Sequence, residues 1–288
     1  MANKITDVII VGAGPAGIAC AIQLKRYNIN CIVLEKDEIG GLLHNANIVE
    51  NYIGFPNGLS GEKLVELIKR QSQSSKLKIK YELVESVDSG KDTINIKTNN
   101  NVYQSKYLVI ASGTKPIIPT VPIIHDNLKT KVFYNIYKLG QIKNKNIAII
   151  GAGDCAFDYA LNLCSNNKVA ILNRSTRIKA LPTLQDRVSK IESINYFDNI
   201  IVKQIELKNY KINLSSIPNI VNTVFDYILI AIGREPNLDF INKDIMKNPN
   251  VLQIGDVKNG QFRQTSIAVG DGTFTAMKIS KLLNQGNL

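Results

Sequence analysis

The sequence predicts an α/β protein built from two Rossmann-like, three-layer ββα nucleotide-binding domains, the second inserted into the first. Three observations carry this expectation. The run Asp7-Val-Ile-Ile-Val-Gly12-Ala-Gly14-Pro15-Ala16-Gly17 is an apolar strand that breaks into a glycine turn and opens a helix, and Cys31–Glu35 follows as a second strand. The run Asn146-Ile-Ala-Ile-Ile-Gly151-Ala-Gly153-Asp154-Cys155-Ala156 repeats the pattern, with Val169–Asn173 as its second strand. Each copy is then answered by a matching apolar strand that ends on glycine, Tyr107–Gly113 and Tyr227–Gly233. Unbroken apolar runs of this length suit parallel strands buried on both faces.

The elements follow in order. The first helix is expected through about Tyr27. The stretch from Leu77 to Ile96 alternates and carries a Ser-Gly-Lys-Asp turn, which reads as a β-meander. The segment Lys115-Pro-Ile-Ile-Pro-Thr-Val-Pro122 is punctuated by proline, so the chain is expected to leave the first domain there. It is expected to return through Arg234-Glu-Pro236-Asn237. The domains are therefore expected at 1–115 with 237–288, and at 116–236. Val251-Leu-Gln-Ile-Gly255-Asp256 and a helix from about Ser266 to Leu283 close the chain.

The bulk composition agrees. A chain of 288 residues with 44% hydrophobic residues suits about two packed domains rather than a disordered polymer. The first strand starts too early for a signal peptide and no apolar run reaches spanning length, so a soluble, cytoplasmic protein without a membrane span is expected. The net charge of +11 is scattered, with no aromatic-interleaved basic motif. It reads as a solvated surface with some attraction for an acidic partner, not as a nucleic-acid site. Four cysteines form no Cys-x-x-Cys and there are two histidines, so no metal site is expected.

In the first fingerprint Gly12 permits the tight turn, Gly14 lets backbone approach a pyrophosphate, and Gly17 allows close packing of helix on strand. The helix N-terminus offers unpaired N–H groups and about half a positive charge. Glu35 can accept hydrogen bonds from a ribose diol. The second fingerprint has Ala156 for the third glycine, and its strand ends in Asn173-Arg174 with no carboxylate. Arg174, with Arg177 and Lys179 nearby, can pair with a 2′-phosphate, which favours NADPH over NADH. Two such sites imply two dinucleotides exchanging electrons. Asp256 at a strand end can hold a sugar-chain hydroxyl, and the following helix N-terminus can stabilise charge on a reduced flavin. Gly270 and Gly272 are costly inside a helix, which points to close approach of backbone or ligand.

The combined order of Gly12–Gly17, Glu35, Gly40-Gly41-Leu42, Val49-Glu50-Asn51-Tyr-Ile-Gly54-Phe-Pro56, Ala111-Ser-Gly113, Ala231-Ile-Gly233, Gly255-Asp256-Val257 and Arg263-Gln264 resembles the low-molecular-weight thioredoxin reductases over essentially the whole chain. The resemblance implies FAD contacts at Gly12, Gly14, Pro15, Ala16, Gly17, Glu35, Gly41, Leu42, Asn51, Val84, Gly113, Asp256, Gln264 and Thr265. It implies NADPH at Gly151, Gly153, Asp154 and Arg174, and a homodimer.

The chain also departs from that pattern. Family members with thiol activity carry Cys-x-x-Cys shortly before the second fingerprint. Counted back from Gly151 without gaps, those positions are Tyr134 and Tyr137, which either pack in the domain or stack near a flavin. Ser175 breaks the arginine pair expected after the second strand. Without the dithiol the leading expectation is a FAD-dependent NAD(P)H oxidoreductase that passes electrons to an acceptor other than thioredoxin: a redox protein, a small disulfide, a quinone or free flavin, or oxygen. Hydride transfer between nicotinamide and flavin needs proximity and no protein acid or base, so no catalytic residue is assigned. The alternatives are a thioredoxin-type disulfide reductase using another cysteine such as Cys155, and a FAD-binding redox sensor that does not turn over.

Overall fold

In the computed structural model the described residues are 5–120, 126–218 and 224–285. They fall into two compact units: one takes the described residues through His44, Ile48–Lys115 and those from Glu235 onward, the other Asn45–Asn47 and Pro116–Arg234. The return connection thus divides at Arg234/Glu235 rather than at 236/237, and a short piece, Asn45–Asn47, groups with the inserted unit. Val121 and Pro122 of the proline-punctuated connection lie outside the described residues.

The first unit begins with strand β1 (Thr6–Val11), helix α1 (Pro15–Arg26) and strand β2 (Cys31–Glu35). Helix α2 (Gly61–Ser74) starts on Ser60, whose hydroxyl accepts the Lys63 N–H and caps the helix. Strands β3 (Ile79–Tyr81), β4 (Val84–Ser89), β5 (Ile94–Thr98) and β6 (Val102–Ile110) complete a sheet of order β3-β2-β1-β6-β5-β4. β1, β2, β3 and the second half of β6 run parallel, while β4, β5 and the first half of β6 form an antiparallel meander.

The meander expected from Leu77 therefore starts only at Val84. Ile79–Tyr81 pairs parallel with Val33–Glu35 instead, because β3 follows a helix and so returns to the sheet by a crossover rather than a hairpin. Alternation alone carries no information about the direction of pairing.

The chain leaves through β7 (Thr114–Pro116). The inserted unit holds β8 (Val132–Phe133), β9 (Asn146–Ile150), α3 (Asp154–Leu163), β10 (Lys168–Leu172), α4 (Pro182–Ser189), β11 (Ile194–Phe197), β12 (Ile201–Lys208), β13 (Lys211–Ile217), β14 (Val224–Phe225) and β15 (Tyr227–Ile230). Its main sheet has order β11-β10-β9-β15-β8 and is parallel throughout, and β12-β13-β14 form a separate antiparallel sheet. The return strand β16 (Arg234–Pro236) pairs with β7, so the two connections run side by side. Cys164 caps the end of α3.

Back in the first unit, β17 (Val251–Gln253) pairs parallel with the second half of β6, and α5 (Thr265–Gln285) ends the described chain. The fold class is the one the sequence predicts: each unit has a parallel sheet with helices on one face and antiparallel strands on the other. On the helical face of the first sheet, Val8, Ile10, Val33 and Val109 pack with Ala16, Ala21 and Leu24 of α1 and Ala276 and Ile279 of α5. Its other face packs Ile9, Val11 and Leu108 against Ile94 and Ile96 of the meander. In the inserted unit the corresponding layers centre on Ile149 with Phe157 and on Ala148 with Leu214.

Candidate functional site: two glycine turns and their acidic and amide ends

In the first unit the turn between β1 and α1 is anchored from both sides. The Gly12 N–H donates to the Leu34 carbonyl at 2.8 Å, and the Ala111 N–H donates to the Val11 carbonyl at 2.8 Å. Gly12 has φ +107°, and a Cβ there would lie 2.3 Å from the Ala111 oxygen, so no other residue fits. Gly17 has ordinary backbone, but its Cβ would lie 1.9 Å from the Gly12 oxygen, which makes it the packing glycine. Gly14 faces nothing within 4 Å, and α1 starts there with no side-chain cap and with Pro15 in its first turn. The helix N-terminus is therefore open to an anion.

Glu35 is buried and binds this turn directly. Its Oε2 accepts the Ala13 N–H at 2.6 Å and its Oε1 accepts the Asp37 N–H at 2.9 Å. Each oxygen has a further acceptor position, which suits a ribose diol beside the turn. The Gly40 N–H donates to the Ala13 carbonyl at 3.0 Å, and a Cβ on Gly41 would stand 3.5 Å from Gly14 Cα, so Gly41 and Leu42 close over the same place. The Val84 side chain is buried with Val11 and Leu34, which leaves only its backbone for a ligand.

The last third of the chain adds two groups. A Cβ on Gly255 would lie 2.8 Å from Ala16 Cβ, so Gly255-Asp256 sits against α1 just past the glycine turn. Asp271, not among the residues expected from the sequence, holds that loop: its Oδ2 accepts the Gly255 N–H at 3.0 Å and the Asn259 amide at 2.7 Å. A polar residue between two helical glycines was the available signal. At the start of α5 the Asn51 amide donates to Gln264 Oε1 at 2.9 Å, which joins two predicted residues 213 positions apart beside Thr265. Gly272 serves packing: its Cβ would lie 2.3 Å from the Ala16 oxygen, so it sets α5 against α1. Gly113 has φ +63° with open space around it and accepts the Asn237 N–H at 3.1 Å.

The inserted unit repeats the anchoring. Gly151 has φ +127°, its N–H donates to Leu172 at 3.0 Å, and its Cβ would lie 2.2 Å from the Ala231 oxygen. Gly153, like Gly14, faces open space at an uncapped helix start. Asp154 is partly committed elsewhere, since its Oδ1 accepts the Leu181 N–H at 2.8 Å ahead of α4. Arg174, Arg177 and Lys179 are all exposed on the loop after β10, and the Lys179 N–H donates to the Ala152 carbonyl at 2.9 Å, which brings this loop to the glycine turn. Open glycines, free helix starts and flanking ribose or phosphate partners fit a dinucleotide in each unit.

Tyr134 packs partly buried against the cluster of Ala148, Leu172 and Leu214, and burial raises its phenol above the usual range. Asn135, between the tyrosines, accepts the Arg234 guanidinium N–H at 3.2 Å. Cys20 and Cys31 are buried, and burial pushes both thiols up, that of Cys31 to about 11. Cys155 is exposed at its surface, yet the protein packed around its sulfur raises the thiol; a hydrogen bond with Tyr159 and the charge of Arg234 oppose this without overcoming it.

The comparisons with known proteins agree with this geometry. Residues 6–272 match the family model described as pyridine nucleotide-disulphide oxidoreductase. The thioredoxin reductase of Borreliella burgdorferi is 28% identical, covering 97% of this chain and 92% of that protein. A 34.2 kDa protein in the rubredoxin operon of Clostridium pasteurianum is 26% identical over 98% of both. The crystal structure of Lactococcus lactis thioredoxin reductase in its FR conformation superposes with a TM-score of 0.86 at 25% identity, covering 97% of this chain and 99% of that one. The chain belongs to the pyridine nucleotide-disulphide oxidoreductase family and is a FAD-dependent NAD(P)H oxidoreductase of thioredoxin reductase type, with FAD and NADPH as its cofactors.

Proposed function

We propose that this flavoprotein takes hydride from NADPH and delivers the electrons to an acceptor other than thioredoxin. One observation carries the reading: the chain holds no Cys-x-x-Cys, and Tyr134 and Tyr137 stand where the dithiol is expected. Neither phenol can form a redox disulfide. FAD is held by the Gly12–Gly17 turn and Glu35, with Gly41, Leu42, Asn51, Val84, Gly113, Asp256, Gln264 and Thr265 around it. NADPH is held by Gly151, Gly153, Asp154 and Arg174. Bound there, the nicotinamide would supply hydride and the flavin would relay its two electrons. The chain's own work is to place them and to present the flavin to an acceptor. The scattered net charge of +11 favours an acidic redox protein. No helix among the described residues is long and apolar enough to cross a membrane. A cytoplasmic homodimer is the setting we propose.

Anaerobic titration of the yellow protein tests the entry of electrons. NADPH should bleach the flavin band at lower concentration than NADH, and no bleaching with either would end the proposal in favour of a non-turnover sensor. An acceptor panel tests the exit: turnover with an acidic redox protein, a quinone or free flavin supports it. Efficient reduction of thioredoxin would overturn it.

A second reading is favoured by the solvent-facing position of Cys155 beside the charge of Arg234: a disulfide reductase using that thiol. Loss of disulfide reduction in Cys155→Ser is its required result.

A further inference from the structure

We propose that Asn173 and Tyr196 are the positioning residues that give the second site its preference for a 2′-phosphorylated nucleotide. The inference rests on the reading of the inserted unit as the NADPH site and asks what shapes it. Arg174 and Arg177 are exposed and flexible by nature, and isolated surface cations discriminate weakly. A preference therefore needs a loop whose backbone is held.

Asn173 supplies that hold. It is 5% exposed, at the end of β10, where the first unit has Glu35. Glu35 reaches its own glycine turn, whereas the Asn173 carboxamide turns to the loop that follows it. Its Nδ2 donates to the Arg177 carbonyl at 3.0 Å and to Tyr196 Oη at 2.8 Å, and its Oδ1 accepts the Ser175 N–H at 3.4 Å. Both amide hydrogens and the carbonyl oxygen are used. The loop from Arg174 to Arg177 is closed on this one side chain, so the two guanidinium groups leave from a fixed backbone.

Tyr196 is itself fixed. It lies on β11, and its ring packs against the fully buried Phe157 of α3 with centroids 6.1 Å apart. Its hydroxyl is therefore presented to Asn173 from the core. The order of support runs from Phe157 to Tyr196 to Asn173 to the Arg177 carbonyl. A carboxylate at position 173 could not do this work, because it has no hydrogen to give the Arg177 carbonyl. It would also repel a phosphate.

The test is isothermal titration of the flavin-loaded protein with adenosine 2′,5′-bisphosphate and with adenosine 5′-monophosphate, for the wild type, Asn173→Ala and Tyr196→Phe. The wild type should bind the 2′-phosphorylated ligand more tightly. Asn173→Ala should lose about tenfold on it, and Tyr196→Phe a smaller share, while 5′-monophosphate affinity stays within about twofold. Hydrogen exchange at Ser175–Arg177 should rise in both variants with thermal stability largely kept. Unchanged selectivity in both variants overturns the positioning role. Equal weakening of both ligands also overturns it, by showing a general structural effect. A wild type without preference overturns the NADPH reading itself, and is told apart because it appears before any substitution.

Discussion

The carboxylate of Glu35 accepts the Ala13 N–H at 2.6 Å, which ties the end of β2 to the glycine turn that opens α1. The residue expected to read a ribose is thus also part of the turn's own scaffold. Removing it should act on both. Glu35→Ala should lower stability by about 1–3 kcal/mol, because two backbone N–H groups lose a buried charged acceptor. It should also weaken FAD retention, measured as flavin lost on gel filtration. Glu35→Gln keeps one acceptor oxygen and should fall between the two; a glutamine variant as flavin-poor as the alanine one would show that charge rather than geometry dominates.

Gly14 and Gly17 separate packing from ligand contact. A Cβ on Gly14 meets nothing within 4 Å, whereas one on Gly17 would lie 1.9 Å from the Gly12 oxygen. Gly14→Ala should therefore melt within about 1 °C of wild type as apoprotein, but bind FAD more weakly, because the methyl group occupies the pyrophosphate approach. Gly17→Ala should lose stability with or without flavin. Equal melting of both alanine variants would contradict the packing role of Gly17.

Asp226 predicts an acid-sensitive inserted unit. Burial works to raise its carboxyl, but hydrogen bonds from Lys211 at 2.5 Å and from the Asn146 N–H at 3.0 Å, with the charges of Lys211 and Lys145, hold it below the usual range. A carboxyl depressed in the fold adds stability that is fully present above its unfolded value of about 3.9 and is lost as pH falls through the folded value. Asp226→Asn should melt lower than wild type at neutral pH, and the gap should narrow below about pH 4. Parallel melting curves down to acid would show no linkage.

Cys155 should be a slow thiol. With its pKa raised, the thiolate fraction near pH 8 is small, so iodoacetamide should label it more slowly than a free cysteine. Cys155→Ser should keep NADPH-driven reduction of dyes and quinones within about twofold. Fast labelling at neutral pH would return the disulfide-reductase reading to the front.

Much of this was visible in the chain itself, for identifiable reasons. The glycine turns declare themselves because φ of +107° and +127° and backbone contacts under 3 Å exclude other residues at Gly12 and Gly151. The parallel strands declare themselves because burial on both faces demands unbroken apolar runs. The direction of β3 did not, since alternation is the same in either pairing. The two helical glycines gave a signal without an assignment: only the packed structure shows that Gly272 faces Ala16 of α1. Asp271, Asp154 and Asn173 were legible as polar residues and not as scaffolds, because their partners lie between 2 and 27 positions away and are chosen by packing.

The amino-acid sequence by itself determined the two dinucleotide folds, the acid at the end of one second strand, the amide and arginine at the end of the other, and the absence of a dithiol. These are local matters of residue type and spacing, and each is settled by the backbone geometry it permits. The tertiary structure alone decided which side chains hold the turn and the two loops beside the sites: Glu35 on Ala13, Asp271 on Gly255, and Asn173 on its own loop with Tyr196 behind it. Those choices depend on hydrogen bonds between segments whose distance is set only when the sheets close and bury them.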